Sequence, residues 1–479
     1  MDSLGYICLL IDSKVPLIKK ILLSILSVAT LASCKNKKEE TEPITYIAGQ
    51  IINPIQDYVV FSKGEAVLDT VKLDKNNFFR LRTNKIQKGL YFLKHGESQV
   101  FFIQPGDSLL IHLNTLDFDE SLAYSGKGGE QNNLLMDLYL QNEIENKNLS
   151  NWYNLSSEQF EQKIDSLQAI KMGLFEEFLQ QNEVDENFKR VALANINYDY
   201  FSKKEMFAAA NRNYPEKFVP SFFDYRKEID FGQNELRFYY PYYRFLNRYF
   251  ENMVCAQYGE NKAIDRNSYK YNHRKIELID SMVTADSLKN SLLRYSAMWY
   301  LLNAKDEAEE RKFFETYAKM NTDQKNLEEV RKIFDASVKL TAGNKIPDVL
   351  LVNTDNTMKN LQEVIKGFTV IYFWNNQSAA LHQNLHNRAA ELKSKFPEYD
   401  FIAINTDAHF KKWRKAVKDA GYNPESEYQL ENLADAEKKF VLNSMNKVII
   451  VGKDGIILEG KTNMFNSNFE ELLLGFLNR

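Results

Sequence analysis

The 479 residues predict a multidomain α+β chain: an all-β sandwich first, an α-helical middle, and a C-terminal α/β domain. Three observations predict this. The length exceeds what a single hydrophobic core organises, so two to four domains are expected. The apolar period changes along the chain, from strand-like between Ile44 and Tyr124 to helical between about Gly129 and Ala342. Beyond Gly343, buried-type runs such as Phe368-Thr-Val-Ile-Tyr-Phe-Trp374 alternate with helical stretches, the order of a sheet with parallel strands.

Composition sets the broad class. With 44% hydrophobic and 26% charged residues the chain is an ordinary globular one, and a net charge of -4 gives no reason to expect a nucleic-acid partner. Aromatic residues reach 13%, and much of that excess lies in the middle third, in runs such as Phe238-Tyr-Tyr-Pro-Tyr-Tyr-Arg-Phe245.

Residues 1–33 read as an export signal. Lys14, Lys19 and Lys20 precede the apolar run Ile21 to Leu31, and Leu31-Ala-Ser-Cys34 follows. As a helix the run would span about 16 Å, half a hydrocarbon core, so it is not a transmembrane helix. Asp2 and Asp12 make a poor basic n-region, so translation is expected to start downstream. Leu-Ala-Ser-Cys34 resembles a bacterial lipobox, which implies a lipid on Cys34 and membrane anchorage through it. Residues 34–43 are then the lipidated cysteine and a charged, disordered tether. Its basic then acidic order resembles the surface-export tag of Bacteroidetes lipoproteins. The acidic residues come late, so the expected location is the cell envelope, anchored to the outer membrane on its periplasmic face. Of three cysteines, Cys8 is removed, Cys34 carries lipid and Cys255 is left alone, so no intramolecular disulfide is expected.

Residues 44–126 carry short apolar or alternating runs: Tyr46 to Ile52, Tyr58 to Ser62, Val67 to Leu73, Phe78 to Leu81, Leu90 to Lys94, Val100 to Ile103 and Leu109 to Leu113. Asn53-Pro54, Lys63-Gly64, Asp74 to Asn77 and Pro105-Gly-Asp107 separate them. This is a β-sandwich pattern. Leu68-Asp-Thr70 and Gly106-Asp-Ser108 are similar to motifs of the all-β module that opens Bacteroidetes thioredoxin-like lipoproteins. No catalytic cluster occurs here, which leaves a spacer or binding role.

Residues 127–342 are expected to be helical. One stripe begins at Leu134, Leu135, Leu138 and Tyr139, and another runs through Phe160, Ile164, Leu167, Ile170, Leu174 and Phe178. Further helices are predicted at Glu186 to Phe201, Leu236 to Tyr258, Ile276 to Met282, Ser291 to Asn303, Glu307 to Met320 and Leu327 to Leu340. The aromatic segment Phe231 to Phe250 has two readings, a sugar or peptide platform or rings that close a helical core, and wide aromatic stripes favour the core. Cys255, on the helix of Phe245 and Tyr249, reads as a small buried hydrophobe; a reactive thiol would need cationic neighbours, and Arg248 is a weak hint.

From residue 343 to 479 the chain resembles a thioredoxin-like domain of the TlpA-like branch. Gly343-Asn-Lys-Ile-Pro-Asp348 is similar to the family's opening motif. A hairpin Leu350 to Met358, a short helix Leu361 to Ile365, the strand Phe368 to Trp374 and the helix Ala379 to Phe396 follow. Next come the strand Phe401 to Asn405, the helix His409 to Ala420, a hairpin over Val448 to Glu459 with an Asp454-Gly455 turn, and the helix Phe469 to Leu477. The resemblance implies a C-x-x-C after Phe373-Trp374 and a cis-proline facing it. The cysteine positions fall on Ser378 and Leu381, and the proline position falls on Asn446. Dithiol exchange needs an attacking thiolate and a resolving thiol, so these are vestigial redox positions. A non-proline cis bond costs about 3 kcal/mol, which predicts a trans peptide before Asn446.

Ser378, His382 and His386 share one helix face. A Ser nucleophile with a His base lacks an orienting acid, and the His382/His386 pair lacks a third zinc ligand and the Glu of H-E-x-x-H. The simpler reading makes Asn376 or Ser378 the helix cap and leaves the histidines solvated or half-buried. Spare amides at that helix start keep a small-anion site open.

These readings together imply a lipid-anchored envelope protein with a redox-inactive thioredoxin-like domain, binding or scaffolding a peptide or envelope protein. Trp374, Asn376, Ser378, His382 and Asn446 are the candidate contacts, and neither a cofactor nor a metal is expected. The alternative is a TlpA-like thiol-disulfide oxidoreductase acting through Cys255, which requires that thiol exposed near the Ser378 loop. A hydrolase would need a carboxylate or third ligand converging on His382 and His386, and the sequence shows none.

Overall fold

Period-2 patterning in the N-terminal region produces two four-stranded sheets in the computed structural model, which describes residues 43–258, 264–376, 378–442 and 446–478. The expected export signal, Cys8, Cys34 and all of the tether before Pro43 lie outside the described residues. The chain forms two compact units, one closing at Asn133 and one running Leu134–Arg479.

In the first unit, β1 (Thr45–Ile52), β4 (Phe78–Thr83), β7 (Ser108–Asn114) and β8 (Ala123–Lys127) form one sheet in the order β4-β1-β7-β8. Strands β2 (Tyr58–Lys63), β3 (Ala66–Lys72), β5 (Gly89–His95) and β6 (Glu97–Ile103) form the other, in the order β3-β2-β5-β6. Strand β1 runs antiparallel to β4 and parallel to β7. Alternate residues Ile47, Ile51, Phe61, Phe79 and Phe101 turn inward and are buried. Phe61 lies 5.8 Å from Phe79 and 6.3 Å from Phe101, ring centre to ring centre, joining the two sheets in one core. The β3–β4 turn is held by Asp74 Oδ1, which accepts from Asn76 N (2.8 Å) and Phe78 N (3.0 Å).

Strand β8 and the short helix α1 (Phe118–Ser121) before it lie beyond the predicted strands. Within β8 only Tyr124 is buried, so no apolar alternation marks it. Its pairing with β7 depends on Gly126, at φ 82°, where a Cβ would come 2.1 Å from Ser108 O.

The helices are α2 (Gly129–Asn148), α3 (Ser157–Gln181), α4 (Glu186–Ala210), α5 (Tyr240–Cys255), α6 (Tyr269–Met282), α7 (Asp286–Asn303), α8 (Glu307–Met320) and α9 (Gln324–Lys339). Helix α5 starts at Tyr240 rather than Leu236, because Pro241 suits a first turn and would break the interior of a helix. Helix α6 starts earlier than predicted, at a Ser268 cap whose side chain accepts from Tyr271 N. In the aromatic segment Tyr239, Tyr242, Phe245, Tyr249 and Phe250 are buried, and Tyr198 packs at a tilt against Tyr242 and Phe245 with centres 4.6 and 5.4 Å away. Most of those rings therefore close a helical core.

Buried charges in these helices come with partners. Lys171 and Lys203 both bridge Glu145 (2.7 and 2.8 Å) and both meet Asp199, tying α2, α3 and α4 together. Glu205, also buried, takes a forked pair of bonds from Arg226 (2.9 and 2.8 Å) and one from Tyr225 OH (2.6 Å).

The C-terminal α/β domain is a seven-stranded sheet in the order β10-β9-β13-β12-β11-β14-β15. Its strands are β9 (Leu350–Asn353), β10 (Met358–Asn360), β11 (Phe368–Trp374), β12 (Tyr399–Asn405), β13 (Glu427–Leu430), β14 (Lys447–Val451) and β15 (Ile457–Asn463). Helices α10 (Leu361–Val364), α11 (Ala379–Lys395), α12 (Phe410–Ala420), α13 (Leu433–Glu437) and α14 (Phe469–Leu477) connect them. Strand β11 runs parallel to β12 and antiparallel to β14, so it is parallel on one side only. Val370, Tyr372, Trp374, Leu385, Trp413 and Phe469 build the core under α11, α12 and α14.

The helical region docks on edge strand β15. Gly343 N donates to Ile457 O and Ile457 N to Asn344 O, each at 2.8 Å. A Cβ at Gly460 would lie 1.9 Å from Leu340 O, so only glycine permits that approach. Lys461 pairs with buried Glu310, which also accepts from Ser337 Oγ at 2.8 Å, and Lys305 pairs with Glu459 at 2.8 Å. These contacts cover an edge that would otherwise be open to pairing.

Candidate functional site

At the carboxyl end of β11 the chain leaves the sheet, and Ser378 starts α11 as its N-cap, its side chain accepting from Leu381 N at 3.3 Å. The two positions where the resemblance implies the cysteine pair are thus joined by a helix cap. Asn376 does not cap; its N–H donates to Asp407 Oδ2 at 2.8 Å. Asn405 Nδ2 donates to the same oxygen at 3.0 Å, and Gln429 Nε2 donates to Asp407 O at 2.6 Å, so the ends of β11, β12 and β13 are laced together.

Under this loop lies a largely buried polar cluster. Glu427, first residue of β13 and 1% exposed, accepts from Trp374 Nε1 at 3.2 Å through Oε2, while Oε1 is 2.8 Å from His386 Nε2. His386 Nδ1 lies 2.7 Å from His382 O. A carbonyl only accepts, so Nδ1 carries a proton, and the single variable proton lies between Nε2 and Glu427. Burial pushes the Glu427 carboxyl up, offset in part by His386 and Trp374.

Aromatic rings close the cluster. Tyr422 stacks on His386 with ring centres 3.6 Å apart and planes 3° from parallel, and its OH lies 2.7 Å from His382 Nδ1. Burial and the Glu427 charge push the Tyr422 phenol up to about 12. Burial, then the neighbouring His386, lowers His382 below the ordinary histidine value.

Several expectations need correction. Of the two placements expected for the histidines, solvated or half-buried, His386 is half-buried, its side chain 9% exposed, while His382 is buried. Trp374 and His382 are buried rather than surface contacts, with Trp374 Nε1 bonded to Glu427 and His382 Nδ1 to Tyr422. Asn376, Ser378 and Asn446 remain at least partly accessible. A carboxylate does converge on His386, namely Glu427, yet both ring nitrogens are engaged, and Ser378 Oγ is held by Leu381 N rather than by His382. Among the described residues no group of three His, Cys, Asp or Glu is placed to hold a metal ion.

Asn446 takes φ 62°, a left-handed conformation that proline, held near -65°, cannot adopt. Among the described residues its Oδ1 is buried without a partner. The residue before it, and hence the expected trans peptide, lies outside the described residues. Next to it, Lys447 is buried, and desolvation followed by repulsion from Lys461 lowers its ammonium to about 7.

Cys255 ends α5, which packs on α4 and α6, and is 8% exposed. Its cationic neighbour is Arg212, at 3.7 Å from Sγ, whereas Arg248 donates to Ser202. Sequence reasoning missed Glu427 and Tyr422. Glu427-Tyr-Gln-Leu430 is wholly buried yet half polar, so no apolar run announces the strand; the fold alone marks it, through partners far away in sequence.

A thioredoxin-like family model matches residues 366–457. No curated protein matches the chain. Among solved structures it is similar to a thioredoxin-like protein from Bacteroides caccae, at 12% identity over 57% of this chain and 92% of that one, with a TM-score of 0.38. It is also similar to the thioredoxin domain of a thiol-disulfide oxidoreductase from Bacteroides vulgatus, at 13% identity over 29% and 99%, TM-score 0.25. A third is a thiol:disulfide interchange protein from a Bacteroides species, at 14% identity over 29% and 93%, TM-score 0.25. The C-terminal α/β domain is thioredoxin-like, behind an all-β region and a helical middle.

Proposed function

We propose that this is a lipid-anchored cell-envelope protein whose thioredoxin-like domain has no dithiol chemistry and serves as a docking surface for a peptide or envelope-protein partner. The observation that carries the reading is that residues 343–479 contain no cysteine, while the serine at the first redox position is spent as a helix cap. A serine hydroxyl forms no disulfide, and the Cys255 thiol is enclosed between helices. The accessible rim of Asn376, Ser378 and Asn446 offers polar groups and backbone at the place where relatives of this fold carry redox chemistry.

Insulin reduction by wild type and Cys255→Ala, with a no-enzyme control, tests it. Turnover at the control rate in both is expected. Reduction by wild type that Cys255→Ala abolishes refutes the reading and makes Cys255 the active thiol. The anchor is tested separately by intact mass of the membrane-extracted protein, expected to show a lipid on Cys34.

A further inference from the structure

We propose that the open face of the β4-β1-β7-β8 sheet docks on an anionic lipid surface. The register places its outward residues in rows. Arg82, Tyr46, Ser108 and Lys127 lie side by side in the first row, and Arg80, Ala48, Leu110 and Ser125 in the second. None of the outward residues of these four strands is Asp or Glu, in a chain whose net charge is -4. Tyr46 and Leu110 are 47% and 53% exposed at the middle of the face.

Those groups suit a headgroup layer. Arg80 and Arg82 are exposed guanidinium groups on one strand, with Arg82 Nε donating to Tyr46 OH at 3.2 Å and Arg80 in the field of Asp74, and their forked N–H groups match the geometry of phosphate. Tyr46 is an amphipathic ring of the type that sits at the membrane interface, and Leu110 is an apolar side chain to enter below it. Lys127 is partly neutralised by Asp107 at 3.8 Å and donates to Gly106 O at 3.0 Å, so the arginines carry most of the attraction.

The point where the described chain begins favours the same occupant. Pro43 lies beside Gly106 and Lys127, at the end of the sheet that holds the Arg82 row. Residues 35–42 separate it from Cys34, a reach of at most about 30 Å when fully extended. A lipid on Cys34 would keep this basic end within that distance of the bilayer. The docking face itself needs no lipid on the protein.

The test uses the chain from Lys35 onward, unlipidated, co-sedimented with vesicles of phosphatidylcholine alone and of phosphatidylcholine with phosphatidylglycerol. Binding to the anionic vesicles, weakened by salt, is expected. Arg80→Gln/Arg82→Gln should lower the partition coefficient roughly 30-fold, and Arg80→Lys/Arg82→Lys should retain most of it. An unchanged melting temperature shows that the variants are folded. Equal binding to both vesicle types, or no loss in the glutamine variant, overturns the proposal. So does a dimer in solution that the glutamine variant dissolves, because a second copy then covers the face.

Discussion

Replacing Glu427 by glutamine and by leucine gives opposite expectations. The carboxyl group receives Trp374 Nε1 at 3.2 Å and faces His386 Nε2 at 2.8 Å, and Glu427 itself is 1% exposed. With His386 Nδ1 donating to His382 O, a neutral His386 offers Nε2 as an acceptor. Glutamine then fits both partners, its amide N–H donating to Nε2 and its oxygen accepting from Trp374, and the loss should stay below about 1 kcal/mol. Leucine leaves two buried polar groups unpartnered at about 1–3 kcal/mol each, a total of roughly 2–6 kcal/mol.

The pH dependence separates the charge from the hydrogen bonds. The Glu427 carboxyl is raised above its ordinary value of 4.5 by burial, so the folded chain binds that proton more tightly than the unfolded one. Wild type is therefore best placed relative to Glu427→Gln below the ordinary carboxylate range, and loses ground as pH rises through the raised value. His382 acts in the opposite sense, its contribution present above 6.5 and lost as pH falls through its lowered value, but both proteins share it. Urea unfolding followed by tryptophan fluorescence, with hydrogen exchange of the β11 and β13 peptides between pH 4 and 8, reads both effects. A glutamine variant as weak as the leucine variant, or a wild type that gains on it with rising pH, would refute the reasoning, because the His386–Glu427 attraction would then exceed the cost of burial.

Two further perturbations test the joins in the fold. Lys461→Met strands the buried Glu310 carboxylate and should cost about 3–5 kcal/mol, whereas Glu310→Leu/Lys461→Met should be far closer to wild type, because burial pushes Glu310 up and Lys461 down and the pair spends most of its attraction on desolvation. A double-mutant cycle in urea checks this, and equal losses in the single and double variants would contradict it. Asn446→Pro, which restores the residue type expected from the resemblance, should destabilise by about 1–3 kcal/mol because φ 62° is closed to proline, while Asn446→Gly should be neutral or better. Melting temperatures of the two variants decide the point.

What the sequence determined by itself is whatever depends on local pattern or on inventory. The apolar period located β11, the helix Glu307–Met320 and the sandwich strands, because burial of one face writes itself into consecutive residues. The cysteine count removed dithiol chemistry from the C-terminal domain without any coordinates. Tertiary structure alone decided the polar interior. Strand β13 is buried through Glu427 and Gln429, whose partners His386, Trp374 and Asn405 come from other elements, and β8 is held by a close backbone approach at Gly126 rather than by apolar side chains. The sequence left the His382 and His386 rings solvated or half-buried for the same reason. A polar residue reads as exposed until the fold supplies its partner, and only in the folded chain does Glu427 reach His386, so a buried hydrogen bond leaves no periodic trace in the sequence.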